Sequence, residues 1–201
     1  MQDSILSQSP SGLSSKQTKL LDELNLCIVA TGTKIVINPK DLPTFQTVAL
    51  DTEHNESGEF VGCGIYNGNG IVYYFTDLLS LRNIPFHLLA IVCHNGISDI
   101  ECLNTWGINV SDRALVWDTM LFAHIIDSSQ KDYSLKGMAK RELGIAYPSY
   151  DDIVGKRGCK AVRITLDKQP VELVAAYNSM DVYSTWMLYE KQRKALNLET
   201  L

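Results

Sequence analysis

The sequence predicts an α/β fold, a mixed sheet of three antiparallel strands followed by parallel strands and flanked by helices, on three observations. Apolar runs at residues 45–51, 60–66 and 71–75 follow one another closely, and the last two are joined by Asn67-Gly68-Asn69-Gly70, whose residues tolerate positive φ; this is an antiparallel meander. A continuous apolar run at 87–93, a helical stretch at 97–106 and another apolar run at 114–117 form a βαβ unit. The chain closes on a long helix over residues 170–196, with Pro170 in its first turn, where a missing N–H costs nothing.

In chain order, residues 1–44 read as an N-terminal extension and residues 45–201 as one domain. Residues 1–16 are polar and Ser-rich, expected to be disordered or a linker, and lack the basic start and apolar middle of a signal peptide. Leu20, Leu21 and Leu24 mark a short helix over 16–26, after which 26–30 and 34–37 flank Thr31-Gly32-Thr33 in the manner of a hairpin. Beyond the βαβ unit, helices are predicted over 119–126 and 134–143, the second capped by Ser134 and stopped by Gly144. Residues 147–166 read as irregular and basic.

Composition narrows the function classes. With 45% hydrophobic and 20% charged residues the chain is an ordinary globular one, and no apolar run approaches the ~18 residues of a membrane span, so a cytoplasmic protein without a membrane role is expected. Its five cysteines include no CxxC pair, which argues against a disulfide framework or a zinc site. A net charge of -5 argues against coating nucleic acid by bulk electrostatics. It leaves room for an acidic site that holds cations.

Three spacings point to such a site. Asp51 and Glu53 end an apolar strand and, two residues apart, project to one face. An isolated pair of this kind usually marks a strand reaching solvent. Asp99, however, follows His94-Asn95-Gly96 where a buried strand gives way to a helix, the place in an open sheet where sites form. Tyr177 and Asp181 lie one turn apart on one face of the last helix. Four carboxylates and a phenol, with no thiolate or imidazole cluster, suit hard cations such as Mg2+ or Mn2+. Phosphodiester hydrolysis is the chemistry that needs this set.

The order Asp51-x-Glu53, Asn95-x-x-x-Asp99, Tyr177-x-x-x-Asp181 resembles the three motifs of the DEDDy 3'-5' exonucleases, whose fold is ribonuclease H-like. Trp117-Asp118-Thr119-Met120-Leu121, Ser134-Leu135-Lys136 and Ser149-Tyr150-Asp151-Asp152-Ile153-Val154-Gly155-Lys156 extend the likeness to the proofreading domains of family A DNA polymerases, over residues 45–196. The resemblance implies two divalent ions, Mg2+ or Mn2+, held by Asp51, Glu53, Asp99 and Asp181, with Asp51 between them and Tyr177 orienting the attacking water. It places Asn95 near the terminal nucleotides and Tyr150 near the single-stranded path. Lys156, Arg157 and Lys160, in the chain's one basic stretch, are candidate phosphate contacts. His54 and His94 are expected at the rim or in packing, and Asp118 in a hydrogen bond at a helix start. The implied substrate is a single-stranded or mismatched DNA 3' end, and the implied partner a DNA polymerase, in trans or as the parent chain. Two rivals stand beside this: an RNA-trimming exonuclease of the ribonuclease D kind, which shares the five residues, and a catalytically silent module that binds nucleic acid or a polymerase.

Overall fold

The computed structural model describes residues 12–110, 115–156 and 163–198. Helix α1 (Ser15–Thr31) begins at Ser14, whose hydroxyl accepts from the Gln17 amide while the Gln17 side chain accepts from the Ser14 amide, a reciprocal cap. It ends at Gly32, left-handed at φ 70. The hairpin expected at 26–30 is therefore corrected. Cys27-Ile28-Val29 has strand-like composition, but Ile28 falls one turn after Leu24 on the buried stripe, while Leu26 and Val29 are 71% and 76% exposed. A capped helix with a buried stripe overrides β propensity.

β1 (Lys34–Ile37) joins the sheet, which continues with β2 (Thr47–His54), β3 (Phe60–Tyr66), β4 (Ile71–Phe75), β5 (Ala90–Cys93) and β6 (Val116–Asp118). The order is β1-β4-β3-β2-β5-β6, with β2–β3 and β3–β4 antiparallel and β1–β4, β2–β5 and β5–β6 parallel. This is the mixed sheet that the sequence predicts. Several boundaries moved, among them β2, which begins at Thr47, and β6, which spans Val116–Asp118. The run at 87–93 divides into a 3-10 turn (Phe86–Leu88) and β5, and β2 does not stop at its acids but runs through them, Asp51 opposite Gly64 and Glu53 opposite Gly62, to an irregularity at Glu53/His54. Pairing to β3 supplies the backbone partners that keep the strand going past the apolar run.

One face of the sheet packs Val48, Leu50, Cys63, Ile65 and Phe75 against α2 (Leu78–Arg82) and α3 (Gly96–Thr105), through Leu81, Leu103 and Trp106. The other face carries α1 and the closing helix α7 (Val171–Ala195). Between them come α4 (Thr119–Ile126), α5 (Leu135–Met138) running into a π-turn (Ala139–Leu143) that Gly144 ends at φ 71, and α6 (Tyr150–Val154), a short helix inside the stretch read as irregular. Local chemistry hid α6: its reciprocal cap, Ser149 with Asp152, and the terminating Gly155 enclose a helix of only 5 residues.

α7 is buried almost all round, and its buried residues include Asn178, Ser179, Asp181, Ser184, Thr185 and Gln192. A helix that sinks this many polar groups needs partners for them. Gln192 shows how they are found: it accepts from the Trp117 indole at 3.0 Å and donates to the Thr119 carbonyl at 2.7 Å, tying α7 to β6 and α4.

Candidate active site

β2 and α7 build the centre of the site. Alternation along β2 puts Asp51 and Glu53 on the face that α7 crosses, and one carboxylate oxygen from each lies within 4.8 Å of the other and of one from Asp181. Burial comes first among the causes that raise the Asp51 carboxyl well above its ordinary range, followed by Glu53, Asp99 and Asp181. Glu53 is pushed up to about 8, again by burial first and then by Asp181. Three hard oxygen donors, with Asp51 and Glu53 pushed up by burial and then by neighbouring carboxylates, fit a divalent cation, which would relieve both the desolvation and the repulsion.

The structure brings together three of the four expected acids and sets the fourth beside them. Asp99 Oδ1 accepts from the Thr52 amide at 2.9 Å and from its hydroxyl at 2.7 Å. Burial raises its pKa to about 6 against the pull of those two bonds. Thr52, between the two β2 acids, thus positions the acid of α3.

Asp181 has two companions without an assigned role in the sequence reading. The Tyr147 hydroxyl donates to Asp181 Oδ1 at 2.7 Å, and the Lys136 ammonium pairs with the same oxygen. That ammonium stands over the rings of Tyr147 and Tyr177, 4.0 and 4.4 Å from their centroids. Lys136 lies two residues after Ser134, whose hydroxyl caps α5. Burial, then the charge of Asp181, pushes the Tyr177 phenol far up, so it does not ionise near neutral pH.

A cleft of about 480 Å³ opens over these groups, lined by Asp51, Tyr177 and Asp181 on one side and by Asn95, Lys136 and Tyr150 on others. Asn95 is left-handed at φ 65, and its side chain makes no cap bond to α3. Its placement comes through the backbone, because Asp118 accepts from the amides of Asn95 and Gly96 at 3.1 and 2.8 Å and also caps α4. Asp118 is the helix-start residue expected. His94 packs, bonded to the Thr119 hydroxyl and the Tyr133 carbonyl, with its pKa lowered by burial. His54 is at the exposed rim, with its ring against the Asn55 carbonyl. Lys156 is exposed at the end of the α6 segment, while Arg157 and Lys160 lie outside the described residues.

A residue that sequence reasoning missed is Asn178, next to Tyr177. Its Nδ2 donates to Asp51 Oδ2 at 2.7 Å and to the Asp51 carbonyl at 3.2 Å, and reaches Glu53 Oε1 at 3.3 Å. A signal was present in Gly62-Cys63-Gly64: two glycines spaced two apart in a strand mark a face where something approaches closely. Here a Cβ on Gly64 would stand 1.9 Å from Asn178 Oδ1.

Comparison with known proteins decides the family. A family model described as 3'-5' exonuclease matches residues 33–197. The chain belongs to the 3'-5' exonuclease family. Among relatives of this exonuclease, the DNA polymerase DpoZ of Acinetobacter phage SH-Ab 15497 is 30% identical over 154 residues, which are 70% of the chain and 24% of that protein. The exonuclease thus spans about a quarter of the length of the curated relative it matches. Among solved structures it is similar to Brucella melitensis NrnC, at 16% identity and TM-score 0.61 over 83% of this chain and 84% of that one. It is also similar to Escherichia coli RNase D, an exoribonuclease, at 15% identity and TM-score 0.54 over 90% and 44%. These structural likenesses establish the ribonuclease H-like fold. No described helix of the exonuclease is long and apolar enough to cross a membrane.

Proposed function

We propose that this exonuclease hydrolyses single-stranded or mismatched DNA 3' ends, releasing nucleoside 5'-monophosphates, in proofreading for a DNA polymerase. The observation that carries the reading is the convergence of Asp51, Glu53 and Asp181, two of which, Asp51 and Asp181, line a cleft. These three hold Mg2+ or Mn2+, with Asp99 the fourth ligand. Bound cations supply activation of the attacking water and stabilisation of the departing 3' oxygen. Tyr177 orients the water, and Tyr147 fixes the rotamer of Asp181. Tyr150, at the mouth of the cleft with the Arg163 guanidinium 5.8 Å from its ring centroid, offers a face on which a base stacks. Asn95 meets the terminal nucleotide, and Lys156, with Arg157 and Lys160, meets phosphates upstream. The phage polymerase relative supports DNA over RNA and supports a polymerase as partner, in trans or as the parent chain.

The test is degradation of matched DNA and RNA oligonucleotides, single-stranded and duplex, with Mg2+ or Mn2+. A buried acid cluster admits a frayed end more readily than a paired one, so single-stranded and mismatched DNA should be cut faster than matched duplex. Faster cleavage of RNA would transfer the reading to 3'-end trimming of RNA. No cleavage of either would favour a silent binding module, against which the intact acid set argues.

Tyr177→Phe separates positioning from metal binding. One hydrogen bond to the attacking water is worth about 10 to 1000-fold in rate, so cleavage should slow by that range while Mn2+ affinity stays near wild type. Loss of Mn2+ binding in the same measurement would make the phenol a structural part of the acid cluster.

A further inference from the structure

We infer that Asn178 is a positioning residue that sets Asp51 and Glu53 in a cation-ready arrangement, and that Gly64 exists at its position to let it do so; this rests on the metal-dependent reading above. Asn178 is fully buried, and its amide nitrogen is shared by the two β2 carboxylates. Through these bonds a neutral donor draws together two carboxylates that would otherwise separate. Asn178 engages Asp51 Oδ2 and Glu53 Oε1, so among the described residues each carboxylate keeps a second oxygen for a cation. The arrangement has a visible cost, since Asn178 Oδ1 is buried without a hydrogen-bond partner among the described residues. A structural asparagine would not ordinarily leave its carbonyl unsatisfied.

Gly64 faces Asp51 across the β2–β3 pair, and its missing side chain is the space the Asn178 carbonyl fills. Its backbone is not left-handed, so conformational freedom does not explain the glycine. Alanine there would put a methyl 1.9 Å from Oδ1 and 3.3 Å from a Val182 methyl, forcing the carboxamide away from the acids.

Groups that orient metal ligands typically contribute about 10 to 100-fold in metal affinity. Mn2+ titration of the full-length chain by calorimetry, without nucleic acid, is the experiment. Asn178→Ala and Gly64→Ala should each raise the Mn2+ Kd by about 10-fold or more, and the rise in Tm on adding Mn2+ should shrink accordingly. Gly64→Ala combined with Asn178→Ala should bind Mn2+ no worse than Asn178→Ala alone, because the new methyl occupies the space the carboxamide leaves. An unchanged Kd in either folded single variant, or losses that add in the double variant, would overturn the inference. If Asn178→Ala does not fold, Gly64→Ala decides the matter by itself. A wild-type chain that binds no Mn2+ would overturn the metal reading itself, a different result from wild-type binding with unchanged variants.

Discussion

Asp51→Asn should lower single-turnover cleavage by ~10³-fold or more, beyond the loss of a single transition-state donor, and leave a folded protein whose metal-free Tm is raised at neutral pH. The substitution keeps the shape of the side chain and an oxygen that accepts from Asn178 Nδ2. It removes a charge that Glu53, Asp99 and Asp181 all repel. In the proposed mechanism Asp51 is a ligand at the centre of the cluster and would act in every step that needs the cation, so its loss would not be compensated by neighbours. Asp181→Ala should be as inactive but less stable than Asp51→Asn, because it strands the Lys136 ammonium and the Tyr147 hydroxyl that both bind Asp181 Oδ1. Circular dichroism melts alongside the kinetics check both statements. Activity within tenfold of wild type in Asp51→Asn would refute the assignment, and an unfolded Asp51→Asn would make the acid structural.

Chelation should abolish cleavage, and the chelated protein should lose stability as pH rises. The folded pKa values of the acids lie above the unfolded carboxylate range near 4: about 6 for Asp99 and about 8 for Glu53, with Asp51 raised in the same direction. Between the unfolded and folded values the native state binds protons that the unfolded chain has released. Stability is therefore greatest at or below the unfolded range and declines as pH climbs through about 6 and on to about 8. Saturating Mn2+ should reverse the trend, because a cation binds the ionised acids and its affinity grows with pH. Melting curves in EDTA and in Mn2+ at about pH 5 and about pH 8 make the comparison. A flat Tm in EDTA across that interval would mean that neither burial nor mutual repulsion raises these acids in the folded chain. Cleavage surviving in EDTA would remove the metal from the mechanism.

Much of this was legible locally. β3, β4 and α4 appear over the residues the sequence predicts, because their signals are period and punctuation: apolar alternation, the Asn67 to Gly70 turn, Asp118 before a helix. The three acid motifs were equally plain, since each depends on spacing within one element. The first helix was not legible past residue 26, because a β-branched run in isolation carries no sign of which face will meet α7.

The chain's own order of residues was enough to specify an α/β domain with Asp51 and Glu53 on one strand face, Asp99 at a helix start, and Tyr177 and Asp181 on one helix face. Periodicity is a property of neighbours along the chain, and neighbours are what a sequence displays. Which of these acids meet was decided only when α7 crossed β2. That crossing joins Asp181 to Asp51 and Glu53 and sets Asn178 against both, while α3 brings Asp99 to Thr52, and Lys136 and Tyr147 reach Asp181 from elsewhere in the chain. Contacts between elements depend on how two surfaces fit, and the fit here turns on an absent side chain, at Gly64, whose meaning appears only once Asn178 stands against it.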